Sequence, residues 1–210
     1  MTFILLLLAL QARITDTLWT ETTDGYRIAV QYPEIALDNE GLGDILEEYA
    51  TARIEEFKSD FERYHTTEFP TQDWSLEINL VQEPSPKGII CILAWVWEYT
   101  GGAHGNTATR AFNYNIADDR LLSTIELLGS RDRFESFAAE VISRLMEEGC
   151  YEDDWVEDGA SAEEQNYHTV LPVPGEDCGL KGYTVLFPPY QVDCYASGTI
   201  EVFLPADWDL

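Results

Sequence analysis

The sequence predicts an α+β protein, in which a mostly antiparallel sheet has two main amphipathic helices packed on it. Segments of alternating apolar residues are separated by two segments in which apolar residues recur with the helical period. Their order is strand, helix, hairpin, strand, helix and closing strands, which is typical of the α+β class. The 210 residues include six Trp, eleven Tyr and nine Phe, enough to build a sizeable core.

The first twelve residues, MTFILLLLALQA, predict a signal peptide. The apolar run from Phe3 to Leu10 is too short to span a bilayer and long enough for a signal core, although no basic residue precedes it. A buried first strand is the alternative. We therefore expect an extracytoplasmic protein, periplasmic or secreted, with no membrane span in the mature chain. The predicted boundaries are 1–12 for the signal, 13–210 for a single domain, about 24–82 and 83–210 for two sub-lobes, and about 147–180 for an acidic insertion.

The first half of the domain predicts a strand, a long helix and a hairpin. Residues 24–35, DGYRIAVQYPEI, alternate and then reach a proline, as in a strand followed by a turn. Between Leu42 and His65, apolar residues recur at three- and four-residue steps and form one face of a helix. The segments 75–82 and 88–100 then read as two strands joined by the loop EPSPK.

The strand at 88–100 is apolar on both faces, which predicts a central position in the sheet. One face carries Cys91, Leu93, Trp95, Trp97 and Tyr99, and the other carries aliphatic residues. The aromatic stripe is able to stack on sugars, but burial in the core is the favoured interpretation.

The second half of the domain predicts a strand at 109–116, a turn at Asp118–Asp119 and a second helix. Ser130 is the expected N-cap of this helix, and Gly149 is its expected end. The closing strands are predicted at 182–187, 190–196 and 199–205.

Between the second helix and the closing strands lies an acidic segment. Residues 145–180 contain eleven acidic residues and no Lys or Arg. The spacing does not fit an EF-hand calcium loop. We therefore interpret this segment as a long, polar, solvated insertion.

The whole chain is strongly acidic, with 39 acidic and 12 basic residues and a net charge of −27. Nucleic acid is excluded as a partner and an anionic membrane surface is disfavoured, because both require patches of Lys and Arg. A cationic partner would be attracted by this field. An equally good explanation is adaptation of the host to salt, in which an acidic surface keeps the protein soluble.

Four cysteines, Cys91, Cys150, Cys178 and Cys194, show no C-x-x-C spacing, which argues against a zinc ribbon or a redox motif. Export would permit disulfides, and the three possible pairings of all four stay open. The pair Cys150 and Cys178 is preferred because these residues bracket one irregular segment.

No motif in the chain indicates catalysis. There is no G-x-S-x-G nucleophile elbow and no phosphate-binding glycine loop. The three histidines, His65, His104 and His168, lack the spacing of metal ligands. The sequence therefore predicts no enzyme, no cofactor and no metal site.

The stretch YTGGAHGNT, Tyr99 to Thr107, resembles the signature loop of the extracellular domain of RsiV-type anti-sigma factors. A related module precedes the catalytic domain of PdaC-type peptidoglycan deacetylases. The stretch from Gly182 to Pro205, with its Tyr-Ala-x-Gly motif, and the segment YRIAVQYPEI are also similar to this family. The resemblance implies a secreted or surface α+β domain that binds rather than catalyses, and in RsiV-type proteins this domain senses lysozyme, a strongly basic protein. The sequence departs from both relatives because it contains neither a transmembrane helix nor the T-F-D-D-G-type deacetylase motif.

Together these features predict a secreted or periplasmic, non-enzymatic binding module for a lysozyme-like cationic protein or a cell-wall glycan such as peptidoglycan. One alternative is a cell-wall-active accessory or cryptic hydrolase that uses His104. Another is a structural envelope protein without a discrete ligand. The candidate ligand-binding residues form two groups: Tyr99, Gly101, Gly102, His104, Gly105 and Asn106 in the glycine-rich loop, and Glu152, Asp153, Asp154, Glu157 and Asp158 in the acidic segment.

His104 has two interpretations. It is either a partner-facing residue, with glycines that allow close approach, or a turn histidine hydrogen-bonded to the backbone, with glycines that allow positive φ. The second interpretation is favoured.

Overall fold

Two sheets organise the chain in the computed structural model, which describes residues 16–65, 73–148 and 153–208. The strands are Leu18–Thr22 (β1), Tyr26–Gln31 (β2), Trp74–Glu83 (β3), Ile89–Tyr99 (β4), Asn106–Asn115 (β5), Arg120–Leu121 (β6), Val170–Pro174 (β7), Leu180–Phe187 (β8) and Ile200–Pro205 (β9). The helices are Glu34–Asp38 (α1), Glu40–Tyr64 (α2), Thr124–Leu128 (α3), Arg131–Glu148 (α4) and Asp153–Gly159 (α5). Short 3-10 turns occupy Glu164–Tyr167 and Tyr195–Ser197. The predicted α+β class is confirmed, since every pairing among the described strands is antiparallel except that of β2 with β3.

The first sheet has the order β1-β2-β3-β4-β5-β6, with α2 packed on one face. Strands β2 and β3 are parallel because the chain passes through α1 and α2 between them. The helix between 42 and 65 and the hairpin of β3 and β4 were both predicted correctly. The core under α2 includes Ile28, Leu46, Phe57, Leu76, Ile92, Val96, Phe112 and Tyr114.

The second sheet has the order β7-β8-β9 and packs against α4. Ser130 is the N-cap residue of α4 as predicted, because its Oγ accepts a hydrogen bond of 3.2 Å from the backbone N–H of Arg133. The core of this half includes Phe134, Phe137, Val141, Leu145, Tyr183, Val185, Phe187 and Leu204. The sequence did not predict that the strands divide between two sheets with separate apolar cores.

The predicted strand at 190–196 is wrong. This segment consists of bends followed by a 3-10 turn. Tyr190 has a φ of +72°, and its N–H donates to the carbonyl of Asp193 at 3.0 Å, which closes a turn that a strand cannot accommodate. The chain from Pro188 to Gly198 is therefore a loop, which we call the 188–198 loop.

The interpretation of the acidic segment as a solvated insertion is also wrong for its described part. Val156 and Ala160 lie on one face of α5 and its C-terminal end, and both are buried in the second core. Tyr167 is fully buried as well, and its hydroxyl donates to the carbonyl of Ala160 at 2.7 Å. The acidic side chains described on α5 are exposed, so the segment is a folded element with a charged outer face.

Several predictions concern residues outside the described ranges. These include the signal peptide at 1–12, the end of the second helix at Gly149, and Cys150. Cys178 is a free, exposed cysteine, so a Cys150–Cys178 disulfide is not shown. Buried Cys91 and exposed Cys194 are also free. None of the helices in 16–65, 73–148 and 153–208 has the length and apolarity needed to cross a bilayer.

The two sheets are joined along β5. The Oγ1 atoms of Thr109 and Thr169 are 2.9 Å apart, and the Nδ2 of Asn113 donates to the carbonyl of Val170 at 2.8 Å. Asn113 and Val170 are both buried, so water does not compete for these groups.

We expect Asn113→Ala to lower the free energy of unfolding by about 1–3 kcal/mol, because the buried carbonyl of Val170 loses its donor. Urea unfolding followed by circular dichroism measures this change. Asn79→Ala, at an exposed position of β3, is the control and should change stability by less than about 0.5 kcal/mol. Equal losses in the two variants would contradict the role assigned to Asn113.

Candidate functional site

The glycine-rich loop connects two central strands. The last register pair of β4 and β5 is Glu98 with Asn106, and residues 100–105 connect Tyr99, the last residue of β4, to β5. β4 lies between β3 and β5, as the apolar character of both its faces predicted. The candidate residues Tyr99 to Asn106 are thus presented at one end of the first sheet.

His104 is exposed, but its ring has defined contacts. It stacks on Tyr195 with a centroid distance of 3.9 Å and an interplanar angle of 23°. Its Nδ1 lies 2.9 Å from the carbonyl oxygen of Gly105, which accepts a hydrogen bond when Nδ1 carries the proton. These are the contacts of a turn histidine bonded to the backbone, which is the favoured interpretation from the sequence.

The glycines of the loop serve different purposes. Gly101 has a φ of +84°, a conformation that glycine adopts without strain. Gly105 is buried against an indole, because a Cβ at this position would lie 2.2 Å from Cζ2 of Trp97. Gly102 is open, since a Cβ added there would have its nearest neighbour, a backbone oxygen, at 3.9 Å. Positive φ therefore explains the glycine at position 101, and the close approach of the Trp97 indole explains the glycine at position 105.

The 188–198 loop holds the glycine-rich loop in place. The hydroxyl of Tyr195 donates to the carbonyl of Gly105 at 3.0 Å, so this carbonyl is shared with His104. Tyr190 lies beside Tyr195 with a centroid distance of 5.6 Å, and 52% of its surface is exposed. We call Tyr99–Gly105 together with Tyr190 and Tyr195 the His104 surface. Sequence reasoning did not nominate the two tyrosines, although they belong to the closing stretch that carries the family resemblance.

A cavity of about 330 Å³ lies beside the loop on the α2 face of the sheet. Its polar lining residues are Arg53, Glu98, Thr100, His104 and Asn106. Arg53 donates to Glu98 at 2.9 Å and to Glu56 at 2.5 Å. Burial raises the pKa of the Glu98 carboxyl, an effect that Arg53 opposes and that Glu56 and Asp60 reinforce. The structure thus combines two nominated residues, His104 and Asn106, with an ion pair that the sequence did not indicate.

The second candidate group lies on α5. Asp154, Glu157 and Asp158 are exposed on this helix. Asp153 is its first residue, with a side chain outside the described part, and Glu152 also lies outside the described residues.

The 188–198 loop contacts both candidate groups. Gln191 donates through Nε2 to the carbonyl of Gly159, at the C-terminal end of α5, at 2.9 Å. Tyr195 of the same loop contacts the glycine-rich loop. One segment therefore connects the acidic helix with the His104 surface.

The arrangement offers groups for recognition. Exposed aromatic rings, loop carbonyls and the cavity beside His104 are able to make stacking contacts and hydrogen bonds. Among the residues of the described ranges, no group of three or more His, Cys, Asp or Glu side chains is arranged to hold a metal ion.

Comparisons with known proteins agree with this fold. Residues 19–107 match the family model described as Deacetylase PdaC. The peptidoglycan-N-acetylmuramic acid deacetylase PdaC of Bacillus subtilis strain 168 is 28% identical over 109 residues, which cover 50% of this chain and 22% of the relative. The matched part of the chain therefore spans about a fifth of the length of that enzyme.

Two solved structures share the fold across most of the chain. A DUF3298 family member from Bacteroides fragilis gives a TM-score of 0.57 at 16% identity, covering 90% of this chain and 88% of that chain. A DUF3298 family protein from Pseudomonas aeruginosa PAO1 gives a TM-score of 0.54 at 16% identity, covering 92% of this chain and 93% of that chain. At this identity the two structures show the fold alone, an α+β fold that this chain shares with both proteins. Over residues 19–107 the chain is similar to PdaC-type proteins, as the resemblance of its signature loop predicted.

We expect Gly105→Ala to lower the free energy of unfolding by about 1–3 kcal/mol, because the new methyl group overlaps the indole of Trp97. Gly102→Ala is the matched control in the same loop and should change stability by less than about 0.5 kcal/mol. Thermal unfolding followed by calorimetry compares the two variants. A similar loss in both would show that flexibility, and not contact with Trp97, requires glycine in this loop.

Glu98 provides a pH-dependent test of the cavity. Burial raises its pKa above the unfolded value near 4.5, so the folded chain retains this proton to a higher pH than the unfolded chain does. The stability contributed by protonated Glu98 is therefore lost as pH rises from 4.5 through the folded-state pKa. We expect the free energy of unfolding of the wild type to fall over this range relative to that of Glu98→Gln.

Urea unfolding at several pH values from 4.5 upward measures this difference. Glu135→Gln, at an exposed position of α4, is the control. The prediction is contradicted if the free energy of unfolding of the wild type changes with pH in parallel with that of both variants. Burial of Glu98 would then not control its titration.

Proposed function

We propose that this chain is a non-enzymatic extracytoplasmic binding module that recognises a basic protein of the lysozyme type through the His104 surface. The observation that carries the proposal is the contact of the 188–198 loop with both the glycine-rich loop and α5. This contact supports one recognition surface, in which the exposed ring of Tyr190 adjoins the signature loop of the family.

The charge distribution supports a basic partner. The chain has a net charge of −27, and α5 directs Asp154, Glu157 and Asp158 to solvent. Such a field increases the rate at which a cationic protein associates, and short-range contacts then hold the complex together. Tyrosine is well suited to this second role, because it buries a large apolar area and retains a hydroxyl for hydrogen bonding.

Recognition is favoured over catalysis by the environment of His104. Its Nδ1 is engaged by a backbone carbonyl and its ring stacks on Tyr195. Within the described residues, no hydrogen bond joins His104 to a serine, cysteine or threonine that it would activate as a nucleophile. The deacetylase named PdaC matches this chain over 22% of its length, and we propose that a binding function is what the two proteins share here. The apolar run at the N-terminus and the name of that relative support export to the cell envelope.

Calorimetric titration of the chain from Arg13 with a basic lysozyme tests the proposal. We expect saturable one-to-one binding that persists at about 0.15 M salt, where exposed charges are screened beyond about 8 Å. Tyr190→Ala should weaken binding by about tenfold or more, as for a central aromatic contact. Tyr64→Ala removes a tyrosine that is 62% exposed, at the C-terminal end of α2 and outside the His104 surface, and it should have no effect. Heat that disappears with added salt would remove lysozyme as the ligand.

One observation favours the hydrolase alternative, since His104 and Glu98 line the same cavity. The variant His104→Ala distinguishes the two functions. If His104 is a turn residue, the variant is less stable than the wild type. Any activity on peptidoglycan is then unchanged at a temperature where the variant is folded. If His104 is catalytic, the variant loses turnover and retains its fold.

A further inference from the structure

A groove of about 440 Å³ lies between the two sheets. One wall comes from β3 and β4, on the face opposite α2, and the other comes from β7, β8 and β9, on the face opposite α4. The cavity beside His104 lies on the other face of the first sheet. The apolar residues that line the groove are Pro84, Leu93, Trp95, Leu171, Pro172, Val173, Pro174 and Leu186.

The groove exists because the second sheet covers only part of the first. Leu93 is 3% exposed, whereas its register partner on β3, Val81, is 44% exposed. Trp95 is half-buried and lies between the covered and uncovered parts of this face. The second sheet therefore leaves the β3 side of this face uncovered, and the indole of Trp95 lines the groove.

Two carboxylates line this otherwise apolar groove from opposite walls. Glu83 ends β3, and Glu201 projects from β9 on the same face as its register partner Leu186. Neither carboxylate forms a hydrogen bond or an ion pair with any residue of the described ranges. The groove thus presents two unpaired carboxylates beside aliphatic surface and the indole of Trp95.

This combination selects one kind of occupant. A purely apolar chain would cover the two carboxylates without compensating their charge, which is unfavourable. An anion would be repelled, and a neutral sugar would donate hydrogen bonds to the two carboxylates without neutralising their charge. Lysine and arginine fit, because their long stems pack on apolar surface, their charged ends pair with carboxylates, and they bind to indole faces.

We propose that this inter-sheet groove binds a lysine or arginine side chain presented by a basic polypeptide. Leu93 and Trp95 pack against the stem, and Glu83 and Glu201 pair with the charged end. The inference names a second contact for the basic partner and rests on the proposed function in that respect. It concerns other residues than the His104 surface, so the two are separable by experiment.

The direct probe is the peptide acetyl-Gly-Leu-Lys-Leu-Gly-amide, with a norleucine peptide of the same length as its uncharged match. Binding is followed through the indole N–H signal of Trp95 in nitrogen-15 spectra, assigned by comparison with Trp95→Phe. We expect the lysine peptide to shift this signal saturably and the norleucine peptide to bind at least about fivefold more weakly. No saturable shift with the lysine peptide, or equal affinity of the two peptides, would overturn the proposal.

Paired variants separate the groove from the general charge of the chain. Glu83→Gln with Glu201→Gln removes two negative charges from the groove, and Asp154→Asn with Glu157→Gln removes two from α5. At about 0.15 M salt the groove variant should bind the lysine peptide about tenfold more weakly, and the α5 variant less than about twofold. Equal weakening in both would mean generic attraction and would overturn the groove as the site. A chitin tetrasaccharide that shifts the Trp95 signal when the lysine peptide does not would also overturn it, in favour of a glycan.

Lysozyme titrations distinguish failure of this inference from failure of the proposed function. If lysozyme binds the wild type and the groove variant equally, and the lysine peptide gives no shift, only the groove proposal fails. If the lysine peptide binds the groove while lysozyme does not bind the wild type, the lysozyme assignment fails and the groove remains a site for basic side chains. Saturable binding of lysozyme to the wild type, a loss of this affinity in the groove variant and a saturable shift with the lysine peptide together support both.

Discussion

The apolar character of both faces of β4 is the constraint on which the rest of the structure depends. A strand of this kind has to be covered on two sides, because each exposed apolar face would remain in contact with water. Helix α2 covers the side that carries Ile92 and Val96. The second sheet covers the other side only in part, so that Leu93 is buried while 38% of the surface of Trp97 is exposed.

Both candidate binding regions include residues of β4. The inter-sheet groove lies where the second sheet leaves part of the stripe open, and it contains Trp95 together with the carboxylates of Glu83 and Glu201. The His104 surface lies where β4 ends, and Tyr195 stabilises it from the 188–198 loop. The scaffold is therefore buried where it supports both regions, and the contacts available to a partner are side chains at its margins.

The sequence predicted elements whose signals are local, and it failed where a tertiary contact decided the conformation. The helix between Leu42 and His65 and the helix after Ser130 were correct, because apolar periodicity and caps act within a few residues. The strand at 190–196 was wrong because a turn between Tyr190 and Asp193 outweighs its alternating pattern. The prediction that the acidic segment is a solvated insertion was wrong, because it rested on the charge of the segment. Two apolar residues within it, Val156 and Ala160, pack α5 against the core.

The sequence by itself indicated the α+β class, the net charge, the central position of β4 and the hydrogen bond of His104 to the neighbouring backbone, since each depends on composition or on neighbouring residues. Only the tertiary structure decided that Tyr195 stacks on His104 and that Glu83 and Glu201 line one groove. These residues are 91 and 118 positions apart, respectively, and no local pattern relates them. The physical reason is that the packing of the second sheet against the first brings distant segments together, and that packing is set by shape and buried area over both sheets.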